Sequence, residues 1–183
     1  MKTNFTAFVL FLTLVCAGQV FAQFPNFPAA DLVLGASDLN TGGSGSATPF
    51  GMNAPTCVAV DAVSGKVFVV ALGQRRILRF ANAEALANGA NAEVVFGQIN
   101  FSGTSAGLSQ TKFGTNLTCC HLDQQGRLWV ADRVNNRILM FHGAATLANG
   151  APADLVLGQV DFVTGTSGTT AAKLNNPFNV FVD

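Results

Sequence analysis

The chain has 183 residues, a formal net charge of zero and 11% charged residues, against about 25% in an ordinary soluble domain. The length suits roughly one domain. The balanced charge and the absence of a basic tract exclude the electrostatic footprint that nucleic-acid binding needs, so no nucleic-acid partner is predicted.

Residues 1–22 have the pattern of a secretory signal peptide. Lys2 supplies the positive start, residues 7–17 form a short apolar core, and Val20-Phe21-Ala22 fits a cleavage site before Gln23. The alternative is an uncleaved anchor, although the apolar run is shorter than the ~20 residues that a membrane span needs. The pattern predicts a secreted or periplasmic chain with no membrane attachment after cleavage.

The remaining residues, 23–183, repeat themselves with a period of about 61 residues. Residues 66–101 and 127–162 are identical at 16 of 36 positions, including the block LANGA at 86–90 and 147–151. The block ADLVLG at 30–35 recurs at 153–158. These matches divide the chain into repeat units at 31–92, 93–153 and 154–183, the last of them incomplete.

Each complete unit contains four short runs rich in Val, Ile, Leu and Phe. Such runs, bounded by Gly, Asn, Asp or Pro, are typical of β-strands, and their nearly continuous apolar character predicts sheets covered on both faces. The polar stretch DRVNNR at 132–137 is interpreted as the turn between two strands. The predicted strands are residues 57–60, 67–72, 77–80, 93–96, 117–122, 128–131, 138–141 and 154–157.

Three segments resemble the repeat of the NHL family of β-propellers: PTCVAVD at 55–61, GRLWVAD at 126–132 and NNRI at 135–138. The resemblance implies an all-β fold of four-stranded antiparallel blades. This chain would supply two complete blades, a leading strand at 31–34 and a trailing strand at 178–182. It would then be an N-terminal fragment of a six-bladed ring. Two departures stand out: Cys57 and Cys119 occupy the usual glycine position, and Ala71 stands where Asp132 stands in the second copy.

The turn residues Asp132, Asn136 and Arg137, together with Arg76 at the position equivalent to Arg137, are interpreted as structural. Their spacing suits hydrogen bonds and an ion pair that fix a loop, although a charged binding site is the alternative. His121 is a weak candidate for a residue of the central channel. It is interpreted as structural rather than as a metal ligand, because neither it nor His142 recurs at the equivalent position of another copy.

Three cysteines lie beyond the predicted cleavage site: Cys57, Cys119 and Cys120. An odd number leaves at least one thiol unpaired within the chain. No metal-type spacing is present, and neighbouring Cys119 and Cys120 should point to opposite faces of a strand. They are interpreted as small buried residues, and their disulfide state is left open.

The sequence says less about function. The favoured hypothesis is a secreted propeller scaffold that binds a protein, a carbohydrate or another small ligand through the loops at its blade edges. It implies no catalysis and no cofactor, and it leaves the ligand unnamed. The alternative is a six-bladed lyase or lactonase whose metal site lies largely in blades outside this chain.

Overall fold

The computed structural model describes residues 29–43 and 45–183. The predicted signal peptide at 1–22 lies outside these residues. Within the described part of the chain, no helix has both the length and the apolar character to cross a membrane.

The first sheet contains four strands that follow one another in sequence order and pair antiparallel, each with the next. They are β1 (Pro55–Val60), β2 (Lys66–Ala71), β3 (Arg76–Asn82) and β4 (Val94–Phe96). Each connection between them is short enough for a simple meander, which explains why neighbours in sequence are neighbours in the sheet.

The second sheet repeats this arrangement. Its strands are β5 (Leu117–Leu122), β6 (Leu128–Asp132), β7 (Arg137–Phe141) and β8 (Leu155–Leu157). The eight strands predicted from the apolar runs are therefore confirmed, and so is the all-β class. Helical structure among the described residues is limited to three-residue 3₁₀ turns at Leu72–Gln74, Ala83–Ala85 and Arg133–Asn135.

Two predicted flanking strands do not form. Residues 31–34 and 178–182 have no strand structure. A strand is defined by its ladder of backbone hydrogen bonds, and neither segment lies beside a strand that pairs with it. Instead, the backbone N–H of Val33 donates to the side chain of Asn88, which lies between β3 and β4. The side chains of Thr118 and His121 in β5 bond to the backbone carbonyls of Phe178 and Val182. The prediction of strands at these two places was wrong for this reason.

Both sheets contribute to one apolar core that lies between them. Phe68 and Phe96 of the first sheet face Phe141 of the second, and Phe113 completes the cluster. The Phe96 and Phe141 rings meet edge to face with centroids 5.4 Å apart, a favoured aromatic geometry. All four rings are fully buried. This contact fixes how the two sheets face each other.

The opposite face of each sheet is covered as well. In the first sheet, Val67, Val69 and Leu78 pack away from the second sheet and are buried against Leu34 and Met52. In the second, Trp129, Ala131, Ile138 and Met140 are buried against Leu174, Val180 and Val182. Sheets covered on both faces explain the continuous apolar runs in the sequence.

The second LANGA block, which lies between β7 and β8 of the second sheet, bonds to β4 of the first sheet. Asn149 Oδ1 accepts a hydrogen bond of 2.9 Å from the backbone N–H of Val95 in β4, and Gly150 N–H donates to the Val95 carbonyl at 3.0 Å. Asn88 makes the same 2.9 Å bond with Val33. Each copy of the block thus clamps an upstream valine at an equivalent position, Val33 or Val95, which gives its recurrence a structural reason.

We predict that Asn149→Ala lowers the free energy of unfolding by about 1–3 kcal/mol, because the fully buried Val95 N–H loses its acceptor. Asn88→Ala is the matched control and should cost less, since Val33 is only half-buried and lies outside both sheets. Urea unfolding measures both. Equal losses for the two variants would contradict the role given to the Asn149 clamp.

Candidate functional site

Arg137 begins β7 and its side chain is completely buried. Its Nε donates to Asp132 Oδ2 at 2.8 Å, and Nη1 donates to the Phe162 carbonyl at 2.6 Å. Nη2 donates to the carbonyls of Ser109 and Lys112 at 3.1 and 2.9 Å. The guanidinium therefore ties the turn before β7 to two long loops, and all of these partners belong to the chain itself.

The Asp132 carboxylate is equally engaged. Oδ1 accepts the backbone N–H of Gly114 at 2.8 Å, while Oδ2 accepts from Asn135 Nδ2 at 2.9 Å and from Arg137. The side chain has no exposed surface. A ligand or metal could reach Asp132 only by displacing these bonds. Full engagement within the chain is expected if Asp132 has a structural role.

Arg76 occupies the equivalent position in the first sheet, where no carboxylate faces it. It is fully buried, and its Nη atoms donate to the carbonyls of Thr48, Gly51 and Phe101. Its Nε has no hydrogen-bond partner among the described residues, because Ala71 stands where the second sheet has an aspartate. Burial lowers the pKa of Arg76 to about 10.

In the first sheet, Gln74 makes one of the hydrogen bonds that Asp132 makes in the second sheet. Its Oε1 accepts the backbone N–H of Asn53 at 3.3 Å, and Asn53 is the residue equivalent to Gly114. Its Nε2 donates to the carbonyl of Gly45 at 3.0 Å. The pair Ala71 and Gln74 thus replaces the pair Asp132 and Asn135, with one buried arginine nitrogen left unsatisfied.

Asn136 shapes the turn between β6 and β7. Its backbone is left-handed, with φ of 52°, a conformation that asparagine adopts more readily than most residues, and Arg75 at the equivalent position has φ of 51°. The Asn136 side chain donates to the Gly165 carbonyl at 2.9 Å and accepts from the Asn176 backbone N–H at 3.0 Å. It links the turn to a loop and to the segment before residue 178.

His121 lies in β5 and is half-buried. Its Nε2 is 2.8 Å from the Val182 carbonyl oxygen, so this nitrogen carries the proton and donates. The ring lies 4.7 Å from the Phe181 ring, centroid to centroid. His142 is exposed on another strand end, and no group of three or more His, Cys, Asp or Glu in the described residues is arranged to hold a metal.

The long loops rich in Gly, Ser and Thr are held in place by a repeated lysine bridge. Lys112 Nζ donates to Gln98 Oε1 and to Ser105 Oγ, both at 2.9 Å. Lys173 bonds in the same way to Gln159 and Thr166. These loops are therefore fixed supports for the end of the sheets where β1 and β5 begin.

At that end, a cavity of about 400 Å³ opens between the two sheets. Three hydrogen-bonding groups line it on the side of the strands, from Thr56, Thr118 and Asn116. Phe178 and Asn179 close the other side. Residues from four separate parts of the chain meet here, so spacing in the sequence gave no sign of the cavity.

Arg133 is the charged residue of this cavity. Its guanidinium carbon lies 5.6 Å from the centre of the Phe178 ring, a cation–π distance. Its Nε is buried without a hydrogen-bond partner in the described part of the chain, and none of the ion pairs found there includes Arg133. The cavity therefore has an uncompensated positive charge beside an aromatic ring.

Two larger cavities, of about 510 and 490 Å³, carry less functional meaning. They occupy equivalent places in the first and last repeat units, next to Met52 and Leu174. In the middle unit the same place is filled by Phe113, whose ring packs against Gly97. The two cavities therefore arise where Met52 and Leu174 fill less space than the equivalent Phe113.

The three cysteines form a cluster that sequence reasoning missed. Cys57 Sγ lies 3.4 Å from both the backbone nitrogen and the carbonyl oxygen of Cys120, and Cys119 Sγ lies 3.5 Å from the same oxygen. The thiols of the two β5 cysteines stabilise a thiolate at Cys57, Cys120 foremost, and lower its pKa to about 5. Burial in turn raises the pKa of Cys119 to about 12.

No known protein-family model matches this chain, and a search of curated proteins finds no similar one. The site must therefore be interpreted from its own geometry.

Exchanging two residues between the repeat units tests the structural role of the buried arginines. Asp132→Ala should lower the free energy of unfolding by about 3–5 kcal/mol, because it leaves Arg137 buried without its counter-ion. Arg137→Ala should also destabilise the second sheet. The double variant Asp132→Ala, Asn135→Gln copies the arrangement of the first sheet and should recover part of the loss.

The reciprocal variant Ala71→Asp, Gln74→Asn supplies a carboxylate to the unsatisfied Arg76 Nε and should be more stable than Ala71→Asp alone. Urea unfolding of the five variants gives the comparison. If Asn135→Gln brings no recovery, or if Asp132→Ala leaves the midpoint unchanged, the structural interpretation fails.

Proposed function

We propose that the two sheets are blades of an NHL-type β-propeller whose role is to bind a ligand rather than to catalyse a reaction. Three observations support the fold part of the proposal. Two four-stranded meanders recur about 61 residues apart, each meander is covered on both faces, and the LANGA block between β7 and β8 of the second meander bonds to β4 of the first. A structure built by repeating one such step is the design principle of propellers.

The cavity with Arg133 supports the binding part and is the observation that carries it. A guanidinium with no carboxylate partner favours an anionic ligand, since Arg pairs well with carboxylate groups. The Phe178 ring beside it offers an apolar face for stacking. Hydroxyl and amide groups from Thr56, Thr118 and Asn116 offer hydrogen bonds. These features together suit a small organic carboxylate, and a sugar acid in particular.

The volume supports the same ligand size. A cavity of about 400 Å³ lies in the range of about 300–1,000 Å³ typical of small-molecule sites. Its walls include the starts of β1 and β5 and the 3₁₀ turns that carry Leu72 and Arg133, so part of the site is already formed before binding. Secretion, if the predicted signal peptide is removed, would expose this site to extracellular or periplasmic sugars.

The proposal predicts that the protein binds glucuronate in preference to glucose, because the carboxylate of glucuronate can pair with Arg133. Calorimetric titration at low ionic strength compares the two sugars. Arg133→Gln should weaken glucuronate binding by about tenfold or more, the range for a lost hydrogen bond to a charged group, and should leave glucose binding unchanged.

Arg127→Gln is the matched control, because it removes the same charge at the opposite end of β6, where Arg127 pairs with Asp123. It should bind glucuronate like the unsubstituted protein. Binding of neither sugar, equal affinity for both, or an unchanged preference in Arg133→Gln would each overturn the proposed ligand class.

A further inference from the structure

Three thiols from two repeat units meet where β1 lies against β5. Cys57 of β1 reaches the backbone of β5, where its sulfur lies 3.4 Å from the nitrogen and from the oxygen of Cys120. Because β5 pairs with β6 on its other side only, this backbone N–H has no ladder partner. The Cys57 sulfur accepts its hydrogen bond and so joins the two sheets at their innermost strands.

Cys57 and Cys120 also share an apolar environment. Both belong to the core between the sheets, Cys120 as a buried member and Cys57 as a half-buried residue packed against it. Cys119 is not part of that core and lines the cavity instead. A bond between Cys119 and Cys120 would be strained because adjacent strand residues point apart.

We propose that Cys57 and Cys120 form a disulfide between the two sheets when the chain meets a disulfide oxidant, and that Cys119 remains a free thiol. This pair is a covalent modification site independent of the proposed ligand site. It bridges two repeat units. Of the three cysteines beyond the predicted cleavage site, two are then paired and one is free.

The charge state of the cluster favours Cys57 as the attacking group. Hydrogen bonding by the Cys120 thiol lowers the pKa of Cys57 to about 5, with the Cys119 thiol acting in the same direction. The pKa of Cys120 is raised by the same hydrogen bond and by burial. The lowered pKa makes the partly exposed Cys57 the cysteine that more readily supplies the thiolate, the form that attacks disulfides.

The reaction proceeds in two exchange steps with a small disulfide such as oxidised glutathione. The Cys57 thiolate attacks one glutathione sulfur, which forms a mixed disulfide and releases one glutathione thiolate. Cys120 then loses its proton and attacks the Cys57 sulfur, which releases the second glutathione thiolate. Two protein thiols are oxidised and one disulfide is reduced to two thiols, so electrons and protons balance.

The test uses the full chain carrying Cys16→Ser, so that only the clustered cysteines react. The folded protein is incubated with oxidised glutathione, quenched with acid, and its thiols are counted after denaturation. Three free thiols should fall to one. Peptide mapping by fragmentation mass spectrometry should place the bond between Cys57 and Cys120, with an unmodified Cys119.

Cys119→Ser is the matched control and should still lose two thiols. Cys120→Ala should instead stop at the mixed disulfide, with glutathione retained on Cys57. Circular dichroism checks that both variants fold. If a variant does not fold, the mapping of the disulfide in the protein with all three clustered cysteines still tests the proposal. No thiol loss in the folded protein, or a bond that includes Cys119, overturns the proposal.

Discussion

The apolar face shared by the two sheets is the contact on which the rest of the structure depends. Each sheet has only four strands, and β4 and β8 have three residues each, so much of the apolar surface of each sheet is buried by contact with the other. The Phe68, Phe96, Phe113 and Phe141 rings bury their surface only because the other sheet is present. The clamp at Asn149, the Cys57 contact and the cavity at Arg133 all lie along this junction.

Burial on both faces also explains how polar groups are used. A residue such as Arg137 sits at the end of a strand, where four carbonyl or carboxylate oxygens converge on its guanidinium. It ties two long loops to the sheet through their backbone carbonyls. In the first sheet, Arg76 holds the equivalent loops without a carboxylate partner among the described residues, and Gln74 accepts the loop N–H that an aspartate accepts in the second sheet. Divergence between repeat units is therefore tolerated where another side chain supplies the lost acceptor.

Much of the fold was predictable from the sequence because its signals are local. Apolar runs located all eight strands, the polar stretch at 132–137 located a turn, and the repeat pointed to equivalent structural roles for Arg76 and Arg137. The flanking segments at 31–34 and 178–182 were predicted wrongly. Their residues match strand positions of the repeat, but strand structure also requires a paired neighbour.

The cysteine cluster and the cavity at Arg133 could not be predicted from the sequence, because both depend on how the two sheets pack against each other. Cys57 and Cys119 are equivalent in the repeat, yet the Cys57 sulfur contacts the backbone of Cys120. That offset is set by the packing of β1 on β5. Arg133 likewise looked like one charge within a polar turn, and only the placement of Phe178 beside it defines a cavity.

A double-mutant cycle across the junction tests the central claim most directly. Phe96→Leu and Phe141→Leu, alone and together, are compared by urea unfolding, with Phe80→Leu and Phe141→Leu as the control cycle because Phe80 packs on the far face of the first sheet. Phe96 and Phe141 should couple by about 0.5–1.5 kcal/mol, as aromatic pairs in contact do. The control pair should be additive. Additive losses for Phe96 and Phe141 would contradict a structure held together by the face that the two sheets share.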